Sequence, residues 1–256
     1  MSVTFRRDGA VGVITLDRPD KLNAMTHAMG DALGALLAGP AAALDLRCLV
    51  LRGEGRAFSA GGDLAFLEAN AGRALDENEA DMRRFYAKFL AVSEARVPTV
   101  ALVQGRASGA GMCLALACDL RLAADDAALA FNFVKLGLTP GMGGTWTLPR
   151  IVGEARALEL ALTGRTVEAT EAAQLGLVHR VVPRAALDAE GLALAQAIAA
   201  NAPGAVRATR ALLRATPRLP LADALDAEAR AQAQAFASPD LQEGIAAIKQ
   251  KRAPRF

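Results

Sequence analysis

VQGRASGAGMCLALACDLRLAADDAALAFNFVKLGLTPGMGGTWTLPRIVG, residues 103–153, is the stretch on which the reading of this chain turns. An apolar, β-branched run ending at Val103 gives way to the small residues Gly105, Ala107, Ser108, Gly109, Ala110 and Gly111, which lead into a helix-like segment from Met112 to Ala117. That order predicts a strand, a tight turn and a helix start. Glycine lets a ligand approach the backbone closely, and the first amides of a helix have no acceptor within it. Such free N–H groups suit an anion or a developing oxyanion. A glycine turn that only packs a strand against a helix fits the same residues.

A second unit of this kind lies upstream, where Cys48-Leu49-Val50-Leu51 is followed by Ala57-Phe58-Ser59-Ala60-Gly61-Gly62-Asp63. Strands alternating with helical segments through this region argue an α/β class. Further strands are expected at residues 2–6, 11–16 (around the turn Asp8-Gly9), 47–53, 98–103, 120–123, 128–131 and 178–182. Met25, Met29, Leu33 and Leu36 mark one helix face, with Asn23 as its expected cap. Met82, Phe85, Tyr86, Phe89 and Leu90 mark another, read as a packing face. Residues 64–77 have no clean periodicity and read as a mobile segment. Beyond residue 182 come helices at 184–200, 204–214, 220–236 and 239–250, set off by Pro203, Pro217, Pro220 and Pro239.

Composition narrows the function classes. The chain has 256 residues, 53% of them hydrophobic and only 4% aromatic, so its core is built from Ala, Leu and Val. With 29 basic and 27 acidic residues there is no electrostatic case for nucleic acid or an anionic membrane as partner. No apolar run approaches the roughly 20 residues that span a bilayer, and the N-terminal stretch has no signal-like segment; a cytoplasmic protein is expected. Cys48, Cys113 and Cys118 sit in apolar sequence and read as reduced, buried thiols.

The blocks AFSAGGDL, QGRASGAG, LALACDLRLAA and LGLTPGMGGTWTLPRIVG, in that order, resemble the crotonase superfamily, the enoyl-CoA hydratase/isomerase family, over nearly the whole chain. The GGTWTLPR stretch is similar to its aromatic-acid-degradation isomerases. The resemblance implies a spiral of ββα units over residues 1–195 that binds acyl-CoA, and a C-terminal helical trimerisation region over 196–256. It also implies a homotrimer or hexamer and no cofactor beyond the coenzyme A thioester itself. Matched residue by residue, it places an oxyanion hole at the main-chain amides of Gly62 and Ala110, and a coenzyme A site at Lys21, Leu22, Ala24, Ala60, Asp63, Leu64 and, from the tail, Lys251. Ile248 stands where the family's tail carries an aromatic.

The same match exposes a gap. Hydration of an enoyl thioester needs groups that activate water and deliver a proton, and the family uses carboxylates. Here those positions hold Cys113 and Phe133, and a third, an aspartate in the ring-opened aromatic acyl-CoA isomerases, is Gly141. Two-glutamate hydration is therefore not expected. Cys113, in a first helical turn where the dipole lowers a thiol pKa, is a candidate base or nucleophile; it equally fits a small buried thiol. Asp63, Glu68 and the acids at 76–81 are candidates to enter from the loop, although Asp63 fits a turn residue. His27 and His179 read as surface or strand-edge residues, Glu154 as a first-turn acid, and Trp146 as core or as acyl-pocket lining. An acyl-CoA isomerase with a displaced proton shuttle and a non-catalytic acyl-CoA-binding homologue both remain open.

Overall fold

A computed structural model describes residues 2–256. Strands β1 (Val3–Asp8) and β2 (Val11–Leu16) form a hairpin, followed by helix α1 (His27–Ala38), β3 (Cys48–Gly53) and β4 (Ala57–Ser59). Helices α2 (Leu64–Asn70) and α3 (Leu75–Leu90) come next, then β5 (Thr99–Val103), β6 (Arg106–Ser108) and α4 (Ala110–Ala117). After β7 (Leu120–Ala124) and β8 (Ala128–Ala130) lie α5 (Gly144–Val152), α6 (Glu154–Thr163), β9 (Thr166–Glu168), α7 (Ala169–Gln174) and β10 (Arg180–Val182). The chain finishes on α8 (Leu187–Ala199), α9 (Pro203–Ala215), α10 (Leu221–Phe236) and α11 (Pro239–Gln250).

Consecutive strands enter different sheets. One sheet has the order β1-β2-β3-β5-β7-β10 and the other β4-β6-β8-β9. The pairs β3/β4, β5/β6 and β7/β8 therefore each give a first strand to the larger sheet and a second to the smaller, which is the expected spiral of ββα units. Both β2 and β5 are buried along their full length, as parallel strands covered on both faces require. One cover is α8, whose Leu187 and Ala195 pack with Val50, Val100 and Leu102. The other holds Met29, Leu33, Phe85, Phe89, Met112 and Leu114 from α1, α3 and α4. Helix α4 is apolar all round and buried from Ala110 to Leu116, the pattern of a helix enclosed on every side.

Several expectations are corrected. Residues 64–77 are not a structureless segment: they form α2 and the start of α3, joined through Gly72, with the side chain of Asn78 bonding the Asn70 carbonyl. The acids at 76–81 consequently lie on α3 rather than on a loop. Asn23 does not cap α1; Thr26 does, its hydroxyl accepting from Met29 N at 3.2 Å. The expected boundary at 195/196 falls inside α8, whose Ala195 and Ala199 are both buried, so the core runs to the end of that helix.

Candidate acyl thioester site

Two backbone segments are stitched side by side beneath the first glycine turn. Ala60 N donates to Leu22 O (2.8 Å), Met25 N to Gly61 O (2.7 Å) and Asp63 N to Met25 O (3.0 Å). The Ser59 hydroxyl donates to Asn23 O at 2.8 Å. Asn23 is fully buried: its Oδ1 accepts from Arg18 N (2.8 Å), and its Nδ2 donates to Glu54 O (2.9 Å) and Ala57 O (2.8 Å). These bonds bring Lys21, Leu22, Ala24, Ala60 and Asp63 together beside Gly62. Asp63 has a structural task there, capping α2 through Ala65 N (3.0 Å) and pairing with Arg18 at 3.1 Å. Leu64 is exposed. Lys251 stands apart, in the left-handed conformation at the end of α11, and no hydrogen bond or ion pair among the described residues ties it to the others.

The second turn closes on the first. Gly61 has φ +95°, and a Cβ there would lie 2.6 Å from Ser108 O and 3.5 Å from Ala110 N, so only glycine lets the two turns approach this closely. Gly109 (φ +52°, ψ −119°) turns the chain from β6 into α4, its own N–H donating to Ala130 O at 2.8 Å. Among the described residues, neither Gly62 N nor Ala110 N donates to a protein acceptor. Two amides without protein acceptors next to this contact are available as donors.

The wall beyond Ala110 mixes Asn132 Oδ1, 3.5 Å from where a Cβ on Gly109 would lie, with aromatic rings. A Cβ on Gly109 would lie 3.8 Å from the Phe133 ring, which meets Phe131 edge-on at 5.2 Å. Cys113 is buried, with Sγ 3.7 Å from Gly141 O, and burial pushes its thiol up to about 12. The expectation of a dipole-lowered thiolate is therefore corrected: loss of hydration in a 3% exposed site outweighs the helix terminus. Gly141 packs against Tyr86, where a Cβ would fall 2.8 Å from the ring Cζ and closer still to the hydroxyl. Burial, and then the neighbouring Cys113 thiol, raise the Tyr86 phenol above its ordinary value.

The remaining candidates lie elsewhere. His27 is not a surface residue: it is half-buried, its Nε2 3.1 Å from Asp81 Oδ2, with Phe66 and Phe85 meeting the ring edge-on at 5.3 and 5.4 Å. Burial of Asp81 works against its charge, but hydrogen bonds from His27 and Arg84 more than offset this and hold the carboxyl below its usual value. Trp146 neither joins the core nor lines the acyl wall; it is 49% exposed, with the guanidinium carbons of Arg150 and Arg218 at 4.0 and 4.6 Å from its ring. His179 sits beside β10, its Nδ1 accepting from Arg121 N at 3.1 Å. Glu68 and Glu154 are exposed. Sequence reasoning placed Tyr86 on a packing face and did not foresee its hydroxyl against the Gly141 turn. The one available signal was its hydroxyl, the sole protic group among the residues marking that face.

The family model for enoyl-CoA hydratase/isomerase matches residues 6–256. A relative from Thermus thermophilus named as an enoyl-CoA hydratase is 41% identical over 248 residues, covering 97% of this chain and 98% of its own. The enoyl-CoA hydratase structure from Bacillus anthracis superposes with a TM-score of 0.94 at 32% identity, covering 100% of this chain and 99% of that one. A Thermobifida fusca protein named as an enoyl-CoA hydratase, solved in complex with acetoacetyl-CoA, gives a TM-score of 0.84 at 38% identity over 92% of this chain and 95% of that one. With that match across nearly its entire length, and with both glycine turns meeting at an unpaired amide pair, the chain belongs to the enoyl-CoA hydratase/isomerase family.

Proposed function

We propose that the protein binds an acyl-CoA thioester with its carbonyl oxygen between Gly62 N and Ala110 N and catalyses an isomerase-like rearrangement through the thioester enolate. The observation that carries this reading is the pair of amides without protein acceptors beside the Gly61–Ser108 contact. As the α-carbon becomes carbanion-like, negative charge moves onto the carbonyl oxygen, and fixed donors stabilise it more than they stabilise the ground state. The acetoacetyl-CoA complex of the Thermobifida fusca relative supports a coenzyme A thioester as the ligand here. The stitched segment at Lys21, Leu22, Ala24, Ala60 and Asp63 would take the coenzyme A portion, and the wall of Cys113, Phe133 and Gly141 the acyl chain. The GGTWTLPR resemblance favours aromatic acyl catabolism as the setting, with fatty acyl catabolism as the alternative.

Hydration by paired carboxylates does not fit, because a thiol, a phenyl ring and a glycine occupy the relevant positions. That occupancy favours a second reading, a member that binds acyl-CoA without turning it over. The reading needs no cofactor other than the thioester. Exposed Leu213, Leu221, Leu225, Phe236 and Ile248 on α9, α10 and α11 support assembly as a trimer or hexamer, in which Lys251 would reach a neighbouring coenzyme A.

Titration calorimetry with butanoyl-CoA, paired with deuterium uptake from D2O into but-3-enoyl-CoA, separates these readings. Binding with uptake supports the catalyst. Binding with no uptake selects the non-catalytic homologue, and the absence of binding overturns both.

A further inference from the structure

We infer that Tyr86 is the proton-transferring residue of this site, its hydroxyl exchanging a proton with the α-carbon of the bound thioester. The inference rests on the thioester reading above and adds to it a group that the sequence match leaves unassigned. Three features of the structure carry it.

The first is position. Tyr86 projects from α3 across to the Gly141 turn, and its hydroxyl occupies the space a side chain at 141 would fill. Cys113, whose Sγ touches the same turn through Gly141 O, lies three residues after Ala110 on α4. Three residues make just under one helical turn, so the contacts from the hydroxyl through the Gly141 turn to Cys113 lead to the turn of α4 that Ala110 opens.

The second is an open valence. Among the described residues the Tyr86 hydroxyl has no hydrogen-bond partner, while its ring is braced by Phe85 at a centroid distance of 6.5 Å. A half-buried phenol whose hydroxyl reaches solvent and bonds nothing in the protein can exchange water for a ligand.

The third is the lack of competition. Cys113 from α4 is the titratable group set against the phenol, and its thiol stays protonated at neutral pH. The Pro140–Thr145 turn carries no titratable side chain. On α3 itself, Arg83 and Arg84 are engaged with Glu79 and Asp81.

The step balances without another reagent. The phenolic O–H breaks and leaves its electron pair on oxygen; the enolate C=C pair forms the new α C–H bond, and the thioester C=O is restored. In reverse, the phenolate takes an α-proton while the two amides hold the enolate oxygen. Water reprotonates the phenolate and is the only co-reactant. Because the phenol is mostly neutral below its raised pKa, the active base is the minor form, and exchange climbs about tenfold per pH unit between pH 7 and 9.

Tyr86 is the only tyrosine in the chain, which makes the test specific. Deuterium uptake into but-3-enoyl-CoA is measured across pH 7 to 9 for wild type, for Tyr86→Phe, and for protein grown on 3-fluorotyrosine, which alters residue 86 alone and makes its phenol more acidic. Butanoyl-CoA affinity is measured alongside. The inference expects Tyr86→Phe to lose about a hundredfold in uptake with affinity within twofold, and the fluorinated protein's profile to move to lower pH. Uptake by Tyr86→Phe within threefold of wild type overturns the inference and leaves the thioester site intact. Equal losses of uptake and affinity overturn it too, because the ring would then only shape the pocket. Wild-type binding without uptake overturns it in favour of the non-catalytic reading. Failure of wild type to bind butanoyl-CoA overturns the thioester reading itself.

Discussion

Replacing Ala110 with proline exchanges one main-chain N–H for a ring carbon, and the structure says which consequences should follow. Ala110 is the first residue of α4, where proline is well tolerated because the N–H has no intrahelical acceptor. Its N–H donates to nothing else among the described residues, so no protein hydrogen bond is lost. The preceding residue is Gly109, which escapes most of the restriction that proline places on its neighbour. Thermal unfolding should therefore shift by only a few degrees. If that amide holds the enolate oxygen, deuterium uptake into but-3-enoyl-CoA should fall by about 10² to 10³, equivalent to roughly 3 to 4 kcal/mol of transition-state stabilisation. Ala110→Gly keeps the donor and serves as the control, with uptake within a few-fold of wild type. Uptake by a folded Ala110→Pro variant within threefold of wild type would refute the oxyanion assignment of residue 110.

Other residues give independent checks. Asn23→Ala strips three hydrogen bonds from backbone groups, taking the donor from Glu54 O and the acceptor from Arg18 N and leaving Ala57 O only its longer bond from Gln104, so unfolding in urea should show a loss of about 2 to 4 kcal/mol together with weaker butanoyl-CoA binding; unchanged stability would contradict the stitching role. Cys113, pushed up to about 12, should resist iodoacetamide at pH 8 in the folded protein and react only on denaturation, and Cys113→Ala should keep deuterium uptake within twofold; a tenfold loss would revive the thiol as a catalyst. Asp81 has a folded pKa below its unfolded one, so its contribution to stability is full above about pH 4 and is lost as pH falls through the folded value. Asp81→Asn should accordingly lower Tm by several degrees at pH 7, with the deficit shrinking in acid; a deficit constant with pH would show that the charge is not what stabilises.

The long strands and the four C-terminal helices could be read from the chain because β-branched runs and proline punctuation act locally. The smaller sheet was harder to see. Its β4, β6 and β9 have only three residues each, too few to show a period, and the close approach of the turns after β4 and β6 depends on Gly61. Asn23 misled because asparagine favours both caps and left-handed turns; here φ +53° and full burial place it in the turn, and Thr26 takes the cap. The amides of residues 62 and 110 were reached through the family resemblance, since the glycine turns by themselves fit a packing role as well as an anion site. Cys113 was not legible, since a local dipole argument cannot know how completely later elements bury the thiol. Tyr86 was half legible: the spacing that packs Phe85 and Phe89 correctly put its ring on the inner face of α3, but the destination of its hydroxyl depends on Gly141, far along the chain.

The central claim is that Gly62 N and Ala110 N hold one thioester oxygen. A crystal structure with butanoyl-CoA bound measures it directly: the carbonyl oxygen should lie within about 3.2 Å of both nitrogens. An oxygen more than about 4 Å from either nitrogen, or a thioester seated elsewhere on the chain, would contradict the account.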